Sequence, residues 1–162
     1  KGGAKIMDAN MLYKSSSDAL MQARVSQSQI SQKEFELKLM EINNQYSPYN
    51  ANNPYMNLIQ KHSIENEIAR LKNDRDNYTI SAINYAIQLA IVELQNNSMF
   101  SMAYLAISSI NSFFSSEKVS SLSLPFTLQS NISQLYFQLT TSIHNPSLAM
   151  ELQRLKNTFH VY

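Results

Sequence analysis

The sequence predicts an all-α protein, an antiparallel bundle of five to six helices with one long helix over about residues 56–95. Three observations predict it. The only glycines are Gly2 and Gly3, so the tight hairpins of a large β-sheet have no residue to build them. The four prolines, at 48, 54, 125 and 146, fall where helical patterns start or stop. Apolar residues recur in steps of three and four through nearly every segment.

The first helix is expected from about Lys5 to Gln27, with Ile6, Ala9, Leu12, Tyr13, Leu20 and Ala23 partly at helical spacing; the Ser15-Ser16-Ser17 run weakens its middle. A second is expected to begin at Ser31, because Ser31 and Glu34 make a capping box. Its stripe is Phe35, Leu39 and Ile42, broadened by Leu37 and Met40. Residues 46–55 hold two prolines, three asparagines and three tyrosines, and read as an aromatic loop.

The long helix carries Ile64, Ile68, Leu71, Arg75, Tyr78, Ala82, Tyr85, Leu89 and Val92 in alternating steps of four and three. That is a heptad seam with Arg75 as its polar interruption. A second stripe, Ile80, Ile83, Ile87, Ile91 and Leu94, starts only halfway along. The later half should therefore pack on two sides and the earlier half on one. A helix from about Ser98 to Phe114 follows, with Ser98 as cap and Met99, Ala103, Ala106, Ile107, Ile110 and Phe114 inside. Pro125 suits the first turn of a helix running to about Ile143. Asn145 and Pro146 suit the start of the last, whose stripe is Leu148, Leu152, Leu155 and Phe159.

At 162 residues the chain suits a single helical domain able to stabilise itself without disulfides or metal. The Lys1-Gly2-Gly3 entry reads as flexible, and a start without Met suggests a fragment or a processed product. Charged residues are 15%, against a usual ~25%. Ser, Asn and Gln supply roughly a third of the chain instead. The net charge of +1, with no run of four Lys/Arg, predicts no nucleic-acid partner. Between Asn77 and Met150 only Glu93, Glu117 and Lys118 are charged, and so neutral a surface has little charge repulsion to oppose association. No apolar run approaches the ~18 residues of a transmembrane segment. Without cysteine there is no disulfide, thiol catalysis or Cys-ligated zinc.

Chemistry-bearing patterns are sparse. His62 and Glu65 have the i, i+3 spacing of two ligands on one helix face, but no third ligand accompanies them. His144 lies beside a helix end and His160 in the terminal turn. Glu65, Glu67, Asp74 and Asp76 alternate with Lys61, Arg70, Lys72 and Arg75, the pattern of ion pairs on an exposed helix. No serine-hydrolase elbow, Walker, Rossmann or EF-hand motif occurs. No catalytic, metal or cofactor residue is expected. The candidate partner-binding residues are Tyr46, Tyr49 and Tyr55, since tyrosine pairs apolar area with a polar handle. Arg75 joins them, because a polar seam residue contacts a partner carboxylate or fixes register, or else lays its stem along the seam with its head in water.

Ala90, Leu94, Phe100, Ala103, Ile107 and Ile110 resemble the packing residues of a tetratricopeptide hairpin over about 30 residues. The Trp, Gly and closing Pro of that motif are missing, and no 34-residue period recurs. The last three helices resemble flagellin-chaperone bundles in helix order and small-residue spacing, which implies an apolar groove for a helical client. Neither resemblance assigns a family. The expected function is a non-enzymatic interaction module binding a protein partner, a homo-oligomer among the forms this takes. Its compositional setting is a bacterial secretion, virulence or surface system, which favours a secreted or extracytoplasmic place. The alternatives are a chaperone or adaptor for a helical client and an enzyme with a dispersed site.

Overall fold

The structure is a computed structural model. It describes residues 8–46, 54–96, 99–117, 119 and 122–162, with the side chains of 44–46 and 54–55 outside that description. Among these residues there are five helices: α1 (Ala9–Tyr46), α2 (Pro54–Gln95), α3 (Ser101–Ser116), α4 (Phe126–Thr141) and α5 (Pro146–Phe159). Among the described residues there is no strand. The all-α expectation and the long helix expected over about 56–95 are both met, the latter as α2.

The sequence reading is corrected at α1. It is one helix of 38 residues, not two. Asp8 caps it, its Oδ1 accepting the Met11 amide at 2.8 Å. Ser31 and Glu34 are exposed mid-helix positions. A capping box ends or starts a helix only where the chain has left helical geometry, and no Gly or Pro lies near enough to force that. Ser16 answers the other apparent weakness. Its hydroxyl donates to the Ala82 carbonyl at 2.9 Å, so it does not compete for its own helix backbone.

Caps and prolines account for the later boundaries. Asn145 Oδ1 accepts the Leu148 amide at 3.1 Å, and Pro146 takes the first position of α5, as expected. Pro125 precedes α4 with φ −55°. The expected Ser98 cap lies outside the described residues; α3 begins at Ser101, preceded by Phe100 in the left-handed region at φ 60°. His144 and His160 also take positive φ, 52° and 53°. With no internal glycine, these joints fall to residues that bear a Cβ.

The chain packs as two compact units. Unit 1 is Lys1–Met21 with Tyr78–Tyr162, and unit 2 is Gln22–Asn77. In unit 1 the later part of α2 buries two faces, through Ala82, Ile83, Ala86, Ile87, Leu89 and Ala90. Helices α3 and α4 both pack on α5. Phe114 meets Phe159 edge-on at 4.8 Å, joining α3 to α5. Lys156 Nζ sits 4.4 Å over the Tyr136 ring, joining α4 to α5. Unit 2 is a helix pair with a small core of Ile30, Ile68 and Leu71, against which Ile64 packs half-buried. The expected contrast between a two-sided and a one-sided half of α2 is therefore present.

Candidate functional site

The buried positions along α1 are 12, 16, 19, 20, 23, 26 and 30, in steps of four and three apart from the adjacent pair Ala19 and Leu20. The series continues through Lys33, Leu37 and Met40, all half-buried. That is an inner seam. Residues two places further on lie about 200° around the helix, on the opposite face. They are Val25, Ser28, Gln32, Phe35, Leu39 and Ile42, again in steps of three and four. Phe35 is 61% exposed, Leu39 43%, Ile42 48% and Val25 45%. The sequence reading took Phe35, Leu39 and Ile42 as the packing stripe with Leu37 and Met40 as its margin. The structure reverses that order. A register started afresh at Ser31 hid it, whereas counting on from Ile30 through Lys33 reveals it.

Arg75 is 7% exposed, so its head does not reach water as the snorkelling alternative requires. Its Nη1 donates to Gln27 Oε1 at 2.9 Å across the helix pair of unit 2. Its Nε and Nη2 donate to Asp76 Oδ1 at 3.1 and 3.0 Å. A buried guanidinium bonded to one residue of the facing helix ties the register of α1 and α2 within unit 2. Around it the exposed charges pair as their spacing predicts. Arg70 reaches Asp74 at 3.1 Å and Glu67 at 3.4 Å, and Lys33 reaches Glu67 from α1 at 4.0 Å. Each such exposed pair contributes about 0–1 kcal/mol.

The tyrosine candidates fall largely outside the described residues. The backbone of Tyr46 closes α1 and that of Tyr55 lies in the first turn of α2, while Tyr49 and the side chains of the other two lie outside the description. The loop expectation for residues 46–55 gives way at its ends to helix.

Sequence reasoning missed a polar cluster between α3 and α5. Glu151 is buried, and Asn111 Nδ2 donates both to its Oε2 and to its carbonyl, each at 2.9 Å. Arg154 Nη1 donates to Oε1 at 3.1 Å. Asn111 Oδ1 is buried with no hydrogen-bond partner among the described residues. A cleft of about 560 Å³ opens beside them, lined also by Ser108, Ser112 and Ser115. Each carboxylate oxygen accepts one side-chain hydrogen bond within the cluster, Oε2 from Asn111 and Oε1 from Arg154. The signal in the sequence was Glu151 itself, one residue before Leu152 of the α5 stripe.

Of the residues resembling a tetratricopeptide hairpin, Ala90, Phe100, Ala103, Ile107 and Ile110 are buried within unit 1 and Leu94 is half-buried. They form the chain's own core. His62 and Glu65 are both exposed. Among the described residues, no three His, Asp or Glu side chains stand together as a metal site, and no helix is long and apolar enough to cross a membrane. No protein-family model matches the chain, and no curated protein or solved structure matches it significantly.

Proposed function

We propose that the chain is a non-enzymatic protein–protein interaction module whose docking surface is the outer face of α1. One observation carries this reading. Within unit 2, helix α1 carries apolar side chains on two opposite faces, and among the described residues only the inner face is packed, while Val25, Phe35, Leu39 and Ile42 stay exposed. A seam-spaced apolar stripe left in water costs solvation free energy, about 25 cal/mol per Å² of apolar area, that a docked helix recovers. Composition adds the proposed setting of bacterial secretion or virulence machinery, by analogy only. The test is a photo-cross-linking phenylalanine analogue at Leu39, installed in the cells that make the protein. A discrete adduct that is lost with Phe35→Ser and Ile42→Ser supports the reading. No adduct at Leu39, with turnover of a small molecule by the purified chain, overturns it.

A further inference from the structure

We infer that the groove between α4 and α5 binds an aliphatic carboxylate, an apolar chain ending in one anionic head. The site lies wholly within unit 1 and goes beyond the reading of α1.

The groove is open and holds about 570 Å³, within the range of small-molecule sites. Its apolar lining is the buried Leu139 of α4 with Pro146, Ala149 and Met150 of α5. Met150 is 58% exposed, so apolar area stands in water that a bound chain would cover. The lining positions of α5 run from 146 to 153. At 1.5 Å per residue they span about 10 Å. An extended chain advances roughly 1.2 Å per bond, so about eight or nine carbons lie along the groove.

Charge selects the head group. No Asp or Glu lines the groove, whereas Arg154 and His144 do. Arg154 faces two ways. Its Nη1 donates to Glu151 Oε1 at 3.1 Å, while among the described residues its Nη2 meets only the Met150 sulfur, at 4.0 Å. A thioether is a weak acceptor, and a carboxylate in its place makes a short charge-assisted bond. Lys156, over the ring of Tyr136 that also lines the groove, is a second cation beside it. Helices α4 and α5 together carry Arg154 and Lys156 against Glu151, a net charge of +1. Glu151 is buried and accepts from Asn111 and Arg154, so the accessible charge at the groove is positive. An anionic head complements it and a cationic head is repelled.

Decanoate is the probe, followed by calorimetry and by the amide shifts of the isotope-labelled chain. The expected Kd is roughly 100 µM, within reach of about a dozen heavy atoms in an open groove, with shifts concentrated at residues 136–154. Decyltrimethylammonium, the same chain with a cationic head, should bind at least ~10-fold more weakly. Arg154→Gln should weaken decanoate about 10-fold and leave decyltrimethylammonium no weaker. Ala149→Phe, which fills the groove, should abolish binding with far-UV circular dichroism unchanged. Leu39→Ser should leave decanoate binding unaltered, which separates this site from the α1 reading. The comparison of the two heads on the wild-type chain holds whether or not a variant folds. The site is overturned by no decanoate binding at about 2 mM, well above the expected Kd. It is equally overturned by a cationic head that binds as tightly, by shifts spread over the whole chain, or by a folded Ala149→Phe that binds as before.

Discussion

Arg75→Ala should destabilise the helix pair of unit 2 by about 2–4 kcal/mol. The charged hydrogen bond to Gln27 contributes about 1.5–3 kcal/mol of that. Loss of the buried stem leaves a void beside Leu71, adding roughly 1 kcal/mol. The ion pair adds little, because the Asp76 side chain is 33% exposed and is re-solvated when Arg75 is gone. Arg75→Met keeps most of the stem volume and removes the charge. It should avoid the ~1 kcal/mol of the void and still lose the hydrogen bond, a cost of about 1.5–3 kcal/mol, while loosening the register that the Gln27 bond holds. The assay is native-state amide exchange read at residues 64–77, because it isolates this unit where a single global unfolding curve does not. Protection unchanged within ~0.5 kcal/mol in Arg75→Ala would refute the reasoning, since a buried, cross-helix guanidinium cannot be removed at no cost. Equal losses for Ala and Met would refute the void contribution, by showing that the hydrogen bond carries all of the energy.

Three further outcomes follow from named contacts. Asn145→Ala removes the cap on the Leu148 amide and should cost about 1 kcal/mol in thermal or urea unfolding of unit 1. His160→Gly relieves a Cβ in the left-handed region at φ 53° and should stabilise by about 0.5–1 kcal/mol, seen as a higher unfolding midpoint. Asn111→Ala strips one of the two side-chain donors from the buried Glu151 carboxylate, with a loss of about 1–3 kcal/mol expected; Asn111→Ser should recover part of it if its hydroxyl reaches Oε2.

The parts of the fold legible in the sequence were those with local causes. Pro146 and Asn145 mark the start of α5 because a missing amide and a side-chain acceptor act within four residues. The two-sided half of α2 was legible because Ile80, Ile83, Ile87, Ile91 and Leu94 add a stripe that the earlier half lacks. What was not legible needed a partner element. The continuity of α1 through Ser28–Ser31 depends on Ile30 burying against Ile68 and Leu71, which no local pattern states. The face that Phe35 takes depends on which of two equally regular seams meets α2. The Asn111–Glu151 contact joins residues 40 apart, and either alone reads as ordinary surface polarity.

The small core of unit 2 has a consequence for how the molecule fluctuates. Among the described residues, the apolar cluster of this helix pair is Ile30, Ile68 and Leu71 with Ile64 half-buried against them, whereas unit 1 has several buried side chains from each of its helices. Sub-global opening should therefore begin in residues 22–77 at a free energy well below that of global unfolding. An occupant of the outer face of α1 that binds only the closed form would raise the opening free energy by RT ln(1 + [L]/Kd), about 2.7 kcal/mol at a hundredfold excess over Kd. Slower exchange in this hairpin is then a reporter of occupancy.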